Sequence, residues 1–129
     1  MIKYPFKPHI FFTLGFILIA ASCVSSGSIP DDLSPAELEQ RAQEASDRNR
    51  YDLALEYYEA MLDRNSNNID IVITAKYEIA FIHYKQKKYQ QAHEELNEVL
   101  EYYKDPDEEL LPQQFKRLAQ IVLNSISEK

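Results

Sequence analysis

Only two glycines occur in the 129 residues of this chain, and one of them, Gly15, lies inside an apolar leader. Strand-rich domains draw on glycine for their turns, and a phosphate-cradling loop needs several within a short stretch. Neither fits a chain that keeps Gly27 alone beyond its leader. Cysteine occurs once, so no disulfide can close within the chain. His83 and His93 fall on different predicted helices with no third ligand at a matching spacing, and "HEE" at His93–Glu95 is not the HExxH zinc arrangement. Basic runs are missing as well. Acids outnumber bases 21 to 14, and loss of Lys3 and Lys7 with the leader would take the net charge from −7 to −9. Such a surface suits neither nucleic acid nor anionic headgroups. With no paired groups in a recognisable cleft pattern, the expectation is no catalytic residue, no metal and no cofactor.

A long hydrophobic run is also absent. From Ile10 to Ala21 the chain is apolar apart from Thr13 and Gly15, which is shorter than the roughly 20 residues of a spanning helix. Lys3 and Lys7 precede this run without an acid, and the small residues Ala20, Ala21 and Ser22 follow it. That order is the pattern of a secretory signal peptide. Cys23 stands where cleavage would fall. "IAASC" resembles the lipobox of bacterial lipoproteins, with Ala21 and Ser22 at the small positions and Ala20 where that family prefers Leu. The resemblance implies a signal peptide over 1–22, lipidation of Cys23 and an anchored chain facing periplasm or exterior. Val24 in place of the Asp retention signal favours the outer membrane over the inner. A bystander cysteine beside an ordinary cleavage site and an uncleaved anchor are the other readings. Residues 23–33, with "VSSGSIPDD" after the cysteine, read as a flexible tether.

Residues 34–129 carry helical periodicity and a composition rich in Ala, Leu, Glu, Gln, Lys and Tyr. "SPAE" at Ser34–Glu37 is a capping box with proline at the first helical position, which starts a helix over about 35–47. Further helices are predicted over about 51–64, 70–87 and 89–104, with a last one after Pro112. "NSNN" at Asn65–Asn68 ends the second, and Pro106 blocks the fourth. The third has two apolar stripes, Val72/Ala75/Ile79/Ile82 and Ile73/Tyr77/Ala80/Tyr84, so neighbours are expected on both sides. Phe115, Leu118, Ala119, Val122 and Ile126 are the expected core of the last helix. "DPDEE" at Asp105–Glu109 reads as a solvated loop.

The second and fourth helices repeat. "YDLALEYYEAML" from Tyr51 aligns with "YQQAHEELNEVL" from Tyr89, an offset of 38 residues. Each places a small residue three after the aromatic and a large apolar residue four after that. This pattern resembles the tetratricopeptide repeat, whose usual length is about 34 residues. The second copy keeps Ile79–Ala80 as the large–small pair, then Tyr89, Ala92, Leu96 and Val99. It departs at His83, where tyrosine is usual, and at Lys87, where the turn glycine is usual. The first copy departs at Arg41 and Met61. The resemblance implies an all-α fold, with antiparallel helix pairs stacked as a short solenoid of about two repeats plus a C-terminal capping helix.

Proteins of this family usually bind peptides in a groove lined by the first helix of each pair. Carried over by position, that groove would comprise Thr74, Tyr77, Phe81, Tyr84 and Lys85, with Glu39, Gln43, Ser46 and Asp47 forming a polar, acidic half. Burial of the aromatics as plain core, under the first or last helix, is the alternative. The expected function is a membrane-anchored adaptor or an accessory subunit of a cell-envelope assembly, with a protein or peptide partner. A small-ligand- or peptide-binding accessory protein of a transporter is the runner-up.

Overall fold

A computed structural model describes residues 28–129, and the leader and Cys23 lie outside the described residues. Five α-helices follow in order: α1 (Pro35–Asp47), α2 (Tyr51–Arg64), α3 (Ile69–Lys85), α4 (Tyr89–Glu101) and α5 (Gln113–Ser127). Short 3-10 turns at Tyr102–Lys104 and Glu108–Leu110 link the last two. Successive helices pack against one another, and α5 also reaches α3. The fold is all-helical, a short solenoid of stacked pairs with α5 as its cap.

Local chemistry sets most of the boundaries. At α1 the Ser34 hydroxyl accepts from the Glu37 amide at 3.3 Å, and the Glu37 carboxylate accepts from the Ser34 amide at 2.9 Å. This is the reciprocal box expected of Ser-Pro-x-Glu. The Ser34 hydroxyl also donates to the Glu37 carboxylate at 2.7 Å, and this bond, ahead of the one from the Ser34 amide, holds the Glu37 carboxyl below its ordinary range. At α3 the Asn68 side chain accepts from the Ile71 amide at 3.3 Å, satisfying one of the four amides a helix start leaves free. By contrast, α2 and α4 begin on Arg50 and Lys88 with no side-chain cap.

The two turns inside the pairs are copies of each other. The Arg50 amide donates to the Ala45 carbonyl at 2.9 Å and Asn49 to Ser46 at 2.9 Å. One repeat later, Lys88 donates to His83 at 2.9 Å and Lys87 to Tyr84 at 2.9 Å. Both are Schellman closures, which need a left-handed residue just past the helix. Asn49 (φ 57°) and Lys87 (φ 63°) supply it. A side chain costs about 1–2 kcal/mol in that region, with asparagine the better tolerated. Lys87 is the position where the family resemblance calls for glycine, and it carries the strain of that departure.

The core has two parts, joined by α3. Leu38, Ala42 and Ala45 of α1, with Ala54, Tyr58 and Met61 of α2, enclose Ala75 and Ile82 from one side of α3. From its other side, Ile73, Tyr77 and Ala80 meet Leu96, Val99 and Tyr103, together with Phe115, Ala119 and Val122 of α5. The expectation of a helix sandwiched between neighbours holds. Ala42, Ala54, Ala80, Ala92 and Ala119 are fully buried; a methyl at each crossing lets the backbones approach.

Three expectations need correction. Leu118 is 39% exposed and not core, because α5 packs only through the face carrying Phe115, Ala119 and Val122. The fourth helix stops at Glu101 and tightens into a 3-10 turn, where the Tyr103 hydroxyl donates to the Pro112 carbonyl at 2.7 Å. The tether is not free to its end. Ile29 and Leu33 pack against the α1–α2 core. The Arg64 guanidinium donates to the carbonyls of Pro30 at 2.8 Å and Ile29 at 3.1 Å, and meets the Asp31 carboxylate at 3.3 Å.

Candidate interaction surface

The five groove residues divide between two neighbouring stripes of α3. Tyr77 and Tyr84 share a stripe with Ile73 and Ala80, turned toward α4 and α5. Tyr77 is 4% exposed. Its ring lies 5.2 Å from that of Phe115 and stacks on Phe81 at 5.9 Å. Burial, with Glu78 adding to it, pushes the Tyr77 hydroxyl up to about 12. The capping helix covers this residue, so Tyr77 sits in the core and presents no surface to a partner. Tyr84 is half-buried in the same seam, stacked on Phe81 at 6.0 Å and tilted against Tyr89 at 5.8 Å.

Thr74, Phe81 and Lys85 lie beside that stripe, at i, i+7 and i+11; Lys85 reaches α1, while Phe81 also packs against the α4–α5 part of the core. Thr74 is partly tied down, its hydroxyl donating to the Asp70 carbonyl at 2.7 Å. The Lys85 ammonium donates to the Ser46 hydroxyl of α1 and sits 5.1 Å from the Phe81 ring centre and 5.5 Å from that of Tyr51. A cation over two aromatic faces gains from their quadrupoles. Lys85 therefore staples α3 to α1 and to the start of α2.

Between Thr74 and Lys85 the same stripe carries Glu78, which repeat matching did not select. Burial holds its carboxyl above the ordinary range; Glu39 adds to the effect and Lys85 opposes it. Tyr58 of α2 lies beneath, its hydroxyl pushed up by burial first and then by Glu78 and Glu39. The α1–α3 face thus combines carboxylates, one lysine and one aromatic ring. The sequence carried one clue to Glu78: it falls one helical turn before Ile82, which is buried on the α2 side, and one turn after Thr74. Among the expected acidic half, Gln43 donates to Glu39 at 3.3 Å, while Ser46 is buried beneath Lys85.

His83 bridges the second pair. It is buried, with Nδ1 2.7 Å from a Glu95 carboxylate oxygen, and Gln91 donates to the same carboxylate at 3.0 Å. This is a core histidine with its partner. Among the described residues no group of three or more His, Cys, Asp or Glu is placed to hold a metal ion, and no helix is long and apolar enough to cross a membrane. An open cleft of about 640 Å³ is lined by Lys76, Glu98, Glu101, Tyr102, Lys104, Asp105 and Pro106. None of the five groove residues borders it.

Paired helices, matched Schellman turns and alanines at each crossing are one repeating unit used twice. A family model described as tetratricopeptide repeat matches residues 45–111, more than half of the chain. The chain belongs to the tetratricopeptide repeat family. Repeats of this family generally mediate binding to protein partners. An uncharacterized protein of Treponema pallidum (strain Nichols) is 35% identical over 122 residues, which cover 93% of this chain and 49% of the relative. The chain thus spans about half the length of that relative. No solved structure matches. The matched segment begins at the end of α1 and closes before α5. It takes in α2, α3 and α4.

Proposed function

We propose that this tetratricopeptide protein is an exported lipoprotein, anchored through Cys23, whose helical domain is a non-catalytic adaptor or accessory subunit of a cell-envelope assembly. The observation that carries the adaptor reading is the α1–α3 face. There Phe81, Lys85 and Glu78 lie together on α3, each only half-buried. An aromatic ring flanked by both charge signs suits an extended peptide, with the ring as anchor and the charges fixing register. The anchor reading rests on Lys3, Lys7, the short apolar run and "IAASC". Outer-membrane attachment is the expected destination.

The test is crosslinking in the native host, followed by purification and mass spectrometry. Cys23→Ser and Phe81→Ala are run beside the parent, with circular dichroism to confirm that each variant stays folded. One dominant envelope protein, lost in Phe81→Ala, is the expected result. Release of Cys23→Ser from the membrane fraction is expected alongside it. Recovery of no protein partner from either membrane would reject the adaptor.

A further inference from the structure

The chain is acidic overall, yet four exposed cations share one end of the helix stack. Because the helices alternate in direction, the turn Arg48–Arg50 and the turn Gln86–Lys88 close at the same end. Lys85 fastens the two together, bonding to Ser46 before one turn and lying over Tyr51 just after it. Arg48, Arg50, Lys87 and Lys88 are all exposed there. None of the four takes part in an ion pair among the described residues, whereas Arg64, Lys76, Lys104 and Lys116 each do. Lys87 and Lys88 also border an open cleft of about 560 Å³ with Tyr89, Gln90, Gln91 and Glu94. Asp47 and Asp52 flank the first turn, Glu94 follows the second, Glu44 borders a cleft with Arg50, and Glu128 ends α5 on this side together with Lys129, which bonds to Tyr89. Asp31, Asp32, Asp105, Asp107, Glu108 and Glu109 all belong to the opposite end.

We infer that this end of the solenoid, formed by Arg48, Arg50, Lys87 and Lys88, is a docking surface for an acidic segment of a partner protein. Unpaired, solvated cations on a chain of net charge −7 do not follow from composition. They also do not neutralise one another's fields, since like charges at close range repel. Lys87 keeps a long cationic side chain at a backbone position that glycine fits better. Strained positions of this kind point toward function when a second feature agrees with them, and here the charge segregation does. A protein partner is favoured over a membrane. Of the exposed large apolar residues among the described ones, Ile69 and Leu110 lie at the opposite end and Leu118 and Ile121 lie along α5, so none of them is placed at the basic end to insert into lipid. This surface shares no residue with the Phe81 face, so either one can fail without the other.

The test uses the full-length chain in detergent. The probe is a fluorescent all-glutamate decapeptide followed by anisotropy, with phosphatidylglycerol vesicles as a second arm. The expected result is peptide binding that weakens roughly tenfold between about 50 and 200 mM salt, as the screening length shrinks. Arg50→Glu/Lys88→Glu should weaken it at least tenfold further. Lys104→Glu/Arg117→Glu makes the same change in net charge away from this surface and should leave binding within about twofold. No binding at low salt, equal loss in both double variants, or vesicle binding without detergent that Arg50→Glu/Lys88→Glu abolishes and Lys104→Glu/Arg117→Glu does not, would each overturn the assignment.

Discussion

Tyr77 separates a core reading of the aromatic stripe from a groove reading, and replacement by alanine measures the difference. The residue is 4% exposed and touches the rings of both Phe81 and Phe115. Truncating a buried aromatic to alanine costs about 3–5 kcal/mol, from lost transfer energy plus the cavity left behind. A solvent-facing groove tyrosine would cost no more than about 0.5 kcal/mol. Tyr77→Ala should therefore destabilise the domain by about 3–4 kcal/mol and lower its Tm by more than about 12 °C. Urea unfolding followed by circular dichroism measures this, read as a shift in midpoint at constant slope. Tyr77→Phe should fall within about 0.5 kcal/mol of the parent, because among the described residues its hydroxyl has no hydrogen-bond partner. A double-mutant cycle with Phe115→Ala should return a coupling of about 0.5–1.5 kcal/mol across the α3–α5 seam. If Tyr77→Ala unfolds within 0.5 kcal/mol of the parent, α5 does not cover α3 as described, and Tyr77 returns to the surface.

Two further outcomes follow from the backbone and from the buried carboxyl. Lys87→Gly should stabilise by about 0.5–1 kcal/mol, the left-handed cost relieved minus the extra chain entropy of glycine. Asn49→Gly should change stability by only a few tenths, and equal effects at the two turns would argue against the strain at Lys87. Burial raises the Glu78 carboxyl in the fold above its ordinary value of 4.5, so over that window the folded state holds more protons than the unfolded one. Its contribution to stability is therefore present at low pH and is lost as pH rises through the raised value. Glu78→Gln should match the parent near pH 4 and become the more stable of the two toward pH 7. A difference that shrinks with rising pH would refute the burial.

Much of the architecture was legible because it is local. Ser34, Pro35 and Glu37 specify the start of α1 through side-chain bonds spanning three residues. Asn65–Asn68 separates α2 from α3 by chemistry confined to that stretch. The 38-residue offset between Tyr51 and Tyr89 was readable because each copy must bury the same face, and residue spacing records that requirement. The apolar arc of α3 foretold neighbours on both sides without saying which stripe met which neighbour.

What remained undecided depends on how distant segments meet. Tyr77 and Phe81 differ by four positions and look alike along the helix, yet α5 covers one and leaves the other at the seam's edge. Leu118 fits the apolar period of its helix, but a capping helix has a neighbour on one side only and leaves part of that period exposed. Glu78 reads as a surface acid until α1 and α2 close around it. Arg48, Arg50, Lys87 and Lys88 form no basic run, being split between turns a full repeat apart. Periodicity determined that the helices would stack, because amphipathic faces must be buried. Only the stacking itself decided which charges share an end and which rings share a seam, since those distances arise from packing and have no counterpart in residue spacing.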